Sequence, residues 1–85
     1  MYDVYLERSA ENDLKRLPAF TFQHILPQIK TLAGNPRPPG CHKITGSKND
    51  WRIRIGDYRV IYEIDNKKKV VRIMRVRHRR EVYRK

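Results

Sequence analysis

Residues 51–55, Trp-Arg-Ile-Arg-Ile, alternate apolar and cationic positions. A strand sends successive side chains to opposite faces. The run therefore predicts a strand with Trp51, Ile53 and Ile55 on one face and Arg52 and Arg54 on the other. Gly56-Asp57 supplies a tight turn, and a second β-rich run follows from Tyr58 to Tyr62. Residues 51–62 read as a hairpin, and Arg59 can bring a third cation close to the first two.

Upstream, Tyr2, Val4 and Leu6 alternate with polar residues and predict a first strand over 2–8. Ser9 is a fitting N-cap for a helix over 10–17, with acids in its first turn and bases in its last. Ala10, Leu14 and Leu17 share one side of that helix, and Pro18 ends it. A second helix is expected over 21–32, with Phe22, Ile25, Leu26, Ile29 and Leu32 as its apolar stripe. Pro27 lies inside it, and Gly34-Asn35-Pro36 stops it.

Residues 35–40 form a Pro/Gly-rich connector carrying Arg37, 43–45 a short strand and 46–50 a polar turn. After a turn at 65–67 comes a β-rich run over 70–76, then a cationic tail. The run can be read in two registers. The order is strand, two helices, then three or four strands. Short turns between the late strands favour an α+β fold: two N-terminal helices on one face of a small, mainly antiparallel sheet of four to five strands. Eighty-five residues make one domain, 1–85.

Charge changes the picture more than composition does. Hydrophobic residues are 39% of the chain, enough for a two-layer fold and too many for a disordered tail. Twenty Lys and Arg against nine Asp and Glu give a net charge of +11. Ten of the twenty cations lie in 67–85, where Glu81 is the only acid. Such a surface attracts polyanions and releases their counterions, and it also suits an acidic protein partner. No apolar run approaches the ~20 residues of a membrane helix, and the N-terminus has no secretory pattern, so a cytoplasmic location is expected. One cysteine, Cys41, and scattered His24, His42 and His78 make a poor metal site. No cofactor is expected.

Several segments together carry a resemblance: Asn35-Pro36-Arg37, the 51–62 hairpin, and the ending Val76-Arg77-His78-Arg79-Arg80-Glu81-Val82-Tyr83. With the element order, they resemble the RelE/ParE superfamily of small toxins from bacterial toxin–antitoxin pairs, and RelE more than ParE. The resemblance implies a metal-independent messenger-RNA endonuclease acting in the ribosomal decoding site, inhibiting translation, with an antitoxin encoded alongside. It sets Arg52 and Arg54 where RelE has two lysines. Arg59 and Arg77 match family arginines, and Tyr83 matches the near-terminal tyrosine. His78 has no counterpart in the best-known RelE, although related nucleases carry a histidine nearby. Arginine in place of lysine removes a general-base role at 52 and 54, because guanidinium does not lose its proton.

RNA brings its own nucleophile, the ribose 2′-hydroxyl. The protein must align its attack on the adjacent phosphate, stabilise the added charge and move protons. Arg52, Arg54, Arg59 and Arg77 fit the charge role. His78 and Tyr83 are the titratable groups of the basic cluster, with His78 as acid and Tyr83 as base or stacking platform, or the reverse. A solvated strand-end histidine and a tyrosine lid over the sheet are the plain structural alternatives. Lys67, Lys68, Lys69, Arg79, Arg80, Arg84 and Lys85 fit backbone contacts to message or ribosomal RNA. Two competing functions remain: a non-catalytic ParE-like poison of DNA gyrase, and a simple basic nucleic-acid-binding module.

Overall fold

The computed structural model describes residues 1–83, and side chains as far as Glu81. Its elements are β1 (Asp3–Leu6), α1 (Arg8–Lys15), α2 (Ala19–Thr31), β2 (His42–Lys43), β3 (Asp50–Ile55), β4 (Tyr58–Asp65), β5 (Val70–His78) and α3 (Arg79–Tyr83). The five strands form one sheet in the order β1-β5-β4-β3-β2. The α+β class and the five strands agree with the sequence reading. The sheet is mixed, because β1 runs parallel to β5 while the other neighbours are antiparallel. Two helices between β1 and the later strands supply the crossover that a parallel pair requires.

One apolar cluster holds the layers together. Ala10, Leu14, Ile25, Ile29 and Leu32 of the helical layer meet Ile55, Val60, Tyr62, Ile64, Val71, Ile73 and Val76 of the sheet. Pro27 sits inside α2 on the exposed side, and Ile25 and Ile29 flank it in the core. Tyr62 is fully buried, and its hydroxyl donates to the Pro36 carbonyl at 2.7 Å. Burial, then the neighbouring Cys41, raise that phenol's pKa.

The elements depart from the sequence pattern at their ends. Helix α1 begins at Arg8 behind Glu7, so Ser9 lies inside it. The Ser9 hydroxyl does not cap. It donates to the Met74 carbonyl of β5 at 2.6 Å. Helix α2 starts at Ala19, immediately after Pro18, where proline's fixed φ suits a helix entrance. The short second strand is His42–Lys43 rather than 43–45. Within the tail, Arg79–Tyr83 form α3, which the chain's charge pattern concealed.

A bulge in β5 resolves the two-register ambiguity. Tyr62 faces Ile73 and Ile61 faces Arg75, so Met74 is an extra residue without a partner in β4. Val71 and Ile73 point into the core before the bulge, and Val76 does so after it. The change of parity leaves Arg77 opposite Arg59 and His78 opposite Tyr58.

Candidate active site

The β3–β4 hairpin builds a cationic floor on the sheet face away from the helices. Gly56 has φ +59 and opens a two-residue turn whose second residue, Asp57, keeps a negative φ, the pattern of a type II′ turn. That turn sets Arg54 opposite Arg59, and Arg52 two positions along the same face. The core partners Ile55–Tyr58, Ile53–Val60 and Trp51–Tyr62 lie on the other face and fix the register. The three arginines line one cavity of about 490 Å³ together with Gly40, His42 and Gly56. Arg52 and Arg54 are exposed, whereas Arg59 is buried to 9% exposure. Arg54 Nε donates to the Gly56 carbonyl at 3.2 Å, and Arg59 Nη1 to the Tyr58 carbonyl at 3.4 Å.

The connector reaches the cavity at Gly40, and aromatic residues pin it. Tyr62 holds Pro36, and the Arg37 guanidinium lies 5.1 Å from the Trp51 ring centroid. Asn35 Oδ1 accepts the Arg37 N–H at 3.1 Å, an Asx-type turn. Gly40, at φ +92, then turns the chain into β2, where His42 pairs with Arg52 and Lys43 with Trp51.

Arg77 enters the same face as the partner of Arg59 in the β4–β5 ladder. Its Nη2 lies 3.4 Å from Glu81 Oε2. Its Nε is buried and has no hydrogen bond among the described residues.

His78 is placed differently. It alternates to the helix side, where its ring meets Tyr58 edge-on, with centroids 5.3 Å apart. There it caps α3. Its Nδ1 accepts the Arg80 N–H at 3.2 Å, and its own N–H donates to Glu81 Oε1 at 3.0 Å. This reciprocal pair is a variant of the capping box in which the histidine ring takes the N2 N–H and the N3 glutamate takes the cap N–H. The His78 N–H and then Arg77 hold the Glu81 carboxyl below the usual range. The Arg79 N–H adds a 2.7 Å bond to the Asp57 carbonyl, fastening α3 to the hairpin turn. So Arg52, Arg54, Arg59 and Arg77 share a face and His78 does not join them. Tyr83 ends α3, and its side chain lies outside the described residues, as do Arg84 and Lys85.

The predicted backbone-binding residues fall into two groups. Arg79 and Arg80 are exposed at the start of α3, close to the hairpin turn. Lys67, Lys68 and Lys69 are exposed at the β4–β5 turn, at the opposite end of β4. Eight residues of strand separate the two ends, about 27 Å at the usual rise. No group of three His, Cys, Asp or Glu that could hold a metal occurs among the described residues. Nor is any described helix long and apolar enough to cross a membrane.

Sequence reasoning passed over His42 because a two-residue strand has no periodicity to read. It also passed over Asp13. That carboxylate accepts Arg75 Nε at 2.9 Å, Arg75 Nη2 at 3.1 Å and the Val76 N–H at 2.9 Å, clasping α1 to the residues just after the bulge.

A family model described as "ParE toxin of type II toxin-antitoxin system, parDE" matches residues 4–83. The chain belongs to this toxin family. Solved relatives carry the other name of the RelE/ParE superfamily. The toxin is similar to the archaeal RelE–RelB complex from Pyrococcus horikoshii OT3, with 30% identity, coverage of 92% of this chain and 94% of that chain, and a TM-score of 0.81. It is similar to the RelBE2 toxin–antitoxin complex of Mycobacterium tuberculosis, at 26% identity, 91% and 96% coverage, and a TM-score of 0.81. The RelB–RelE antitoxin–toxin complex from Methanococcus jannaschii gives 25%, 93% and 94%, and 0.76. The expected RelE/ParE membership and RelE-like fold of this toxin are thereby established.

Proposed function

We propose that this toxin is a ribosome-dependent endoribonuclease that cleaves messenger RNA and so stops translation. One observation carries the reading: Arg52, Arg54 and Arg59 line a single open cavity on a rigid hairpin, with Arg77 paired to Arg59 beside it. Guanidinium groups match phosphate oxygens, remain charged, and are held here before any substrate arrives. In the reaction, the ribose 2′-oxygen bonds to the adjacent phosphorus and the bond to the next nucleotide's 5′-oxygen breaks. The products are a 2′,3′-cyclic phosphate and a 5′-hydroxyl. Added negative charge on the phosphate is what the arginines stabilise. No cofactor enters this scheme. Action on the ribosome implies a cytoplasmic protein.

Arg79 and Arg80 lie where they can extend the backbone-binding surface from the cavity, and Lys67–Lys69 where they can bind a more distant stretch of RNA. A cognate antitoxin is the second partner in this reading. Support comes from the RelB complexes of the relatives and from the charge of +11. It also comes from a shallow, mainly apolar hollow lined by Leu6, Leu14, Phe22 and Leu26.

The test is primer extension on a translated message with purified protein. Cuts within ribosome-occupied codons are expected, and an intact message under active translation would refute the reading. Gyrase poisoning is the second reading, favoured by the ParE description of the matching family model. Overexpression separates the two: the nuclease stops translation first, whereas the gyrase poison stops replication and triggers DNA damage.

A further inference from the structure

We infer that His42 is the proton-transfer residue of the arginine cavity, acting as general base toward the ribose 2′-hydroxyl; this rests on the nuclease reading. The cavity lining is Gly40, His42, Arg52, Arg54, Gly56 and Arg59. Glycine has no side chain to offer, and guanidinium neither gives nor takes a proton near neutral pH. Among the described residues lining the cavity, imidazole is the one group whose chemistry includes both. His78, which the sequence reading favours as the acid, lies on the helix side of the sheet with Nδ1 engaged in capping α3.

The backbone explains why His42 faces the arginines. It is the direct ladder partner of Arg52 in an antiparallel pair. Side chains of such partners project to the same face, with Cβ atoms about 5 Å apart. Substrate phosphate held by Arg52 therefore lies within reach of the imidazole. The strand carrying it is anchored through Tyr62–Pro36 and Arg37–Trp51, contacts that need no substrate. His42 is exposed, as a group that must meet RNA has to be.

The charged groups sharing this face are Arg52 and Arg54 of β3, Arg59 of β4 and Arg77 of β5, with Asp50 beyond Arg52, Glu63 opposite Asp50 and Arg72 paired to Glu63. Arg52 is the direct partner of His42, and Arg54 and Arg59 line the same cavity. A base uses the neutral ring, which adds no further positive charge to a face already crowded with cations.

Neutral His42 takes the 2′-hydroxyl proton as the 2′-oxygen bonds to phosphorus. The bond to the 5′-oxygen breaks, and that oxygen takes a proton from water. The resulting hydroxide removes the proton from His42, so the residue ends as it began.

The experiment is single-turnover cleavage of ribosome-bound message by the full chain, comparing wild type with His42→Ala and His42→Gln across pH, alongside ribosome affinity and melting temperature. His42 is exposed on an edge strand, so both variants are expected to fold, and glutamine retains size and polarity. Cleavage by both variants should fall about 10²–10⁴-fold, with ribosome affinity unchanged and the acidic limb of the pH–rate profile lost. Added imidazole should partly restore His42→Ala. Full-rate cleavage by both variants with an unaltered pH profile overturns the inference and leaves the nuclease reading intact. If wild type itself cuts no ribosome-bound message, both fall.

Discussion

Asp13 grips Arg75 through two hydrogen bonds, and the same carboxylate takes the Val76 N–H, so one α1 side chain closes three bonds to β5. The grip sits immediately after the bulge residue, Met74, whose carbonyl accepts from Ser9 one turn earlier in the helix. The first helix thus holds the irregular part of the strand that carries Arg77.

Burial alone would raise the Asp13 carboxyl, but Arg75, the Val76 N–H and the charge of Arg77 outweigh it and hold the pKa below its ordinary value. A lowered folded-state pKa means that the stabilisation is present above the unfolded-state value, near 3.8. It is lost as pH falls through the folded-state value. Asp13→Asn should cost about 2 kcal/mol at pH 7 and flatten the acid side of the stability–pH curve. Chemical denaturation at several pH values measures both.

Removing one fixed cation from the cavity should slow chemistry more than binding. Arg59→Gln is expected to lower single-turnover cleavage about 10²–10³-fold. Arg54→Gln should act in the same direction with a smaller loss, since Arg54 is exposed and Arg59 buried. Quench-flow cleavage of ribosome-bound message, with affinity measured separately, checks the split.

Lys67 and Lys68 lie at the far end of β4 from the cavity, so their contribution should be electrostatic only. Lys67→Gln with Lys68→Gln should weaken ribosome binding and lower the slope of log affinity against log salt by about 0.7 for each RNA phosphate left unneutralised. The rate of the bound complex should stay unchanged. A salt titration of binding distinguishes this from a lost fold.

Tyr62→Phe removes only a hydroxyl, yet it leaves the buried Pro36 carbonyl without its donor. A loss of about 1–3 kcal/mol is expected. The connector carrying Gly40 should also loosen, visible as faster amide exchange at Cys41, whose N–H bonds the Pro38 carbonyl.

The hairpin was legible because alternation over 51–55 and the Gly56-Asp57 turn are both local signals. They give the face, the turn and the meeting of Arg54 with Arg59. The tail was not legible in this way. Val70, Val71, Ile73, Met74 and Val76 are apolar on both parities, so nothing in the run marks Met74 as the unpaired residue. Without that, Arg77 and His78 cannot be assigned to faces. The β1–β5 pair is equally hidden, since it joins residues nearly seventy positions apart. Ser9 looked like a cap because its partner, the Met74 carbonyl, is distant in sequence. Starting the second strand one residue late kept His42 out of the ladder, and with it out of the cavity.

A single added residue at Met74 works as a parity switch for everything that follows it. Deleting Met74 would leave a regular ladder with Arg77 still on the arginine face and His78 on the helix side. Unbroken alternation with Met74 in register would instead turn Arg77 toward the helices and swing His78 onto the arginine side. Spacing, as much as side-chain identity, decides which chemistry this sheet presents to RNA.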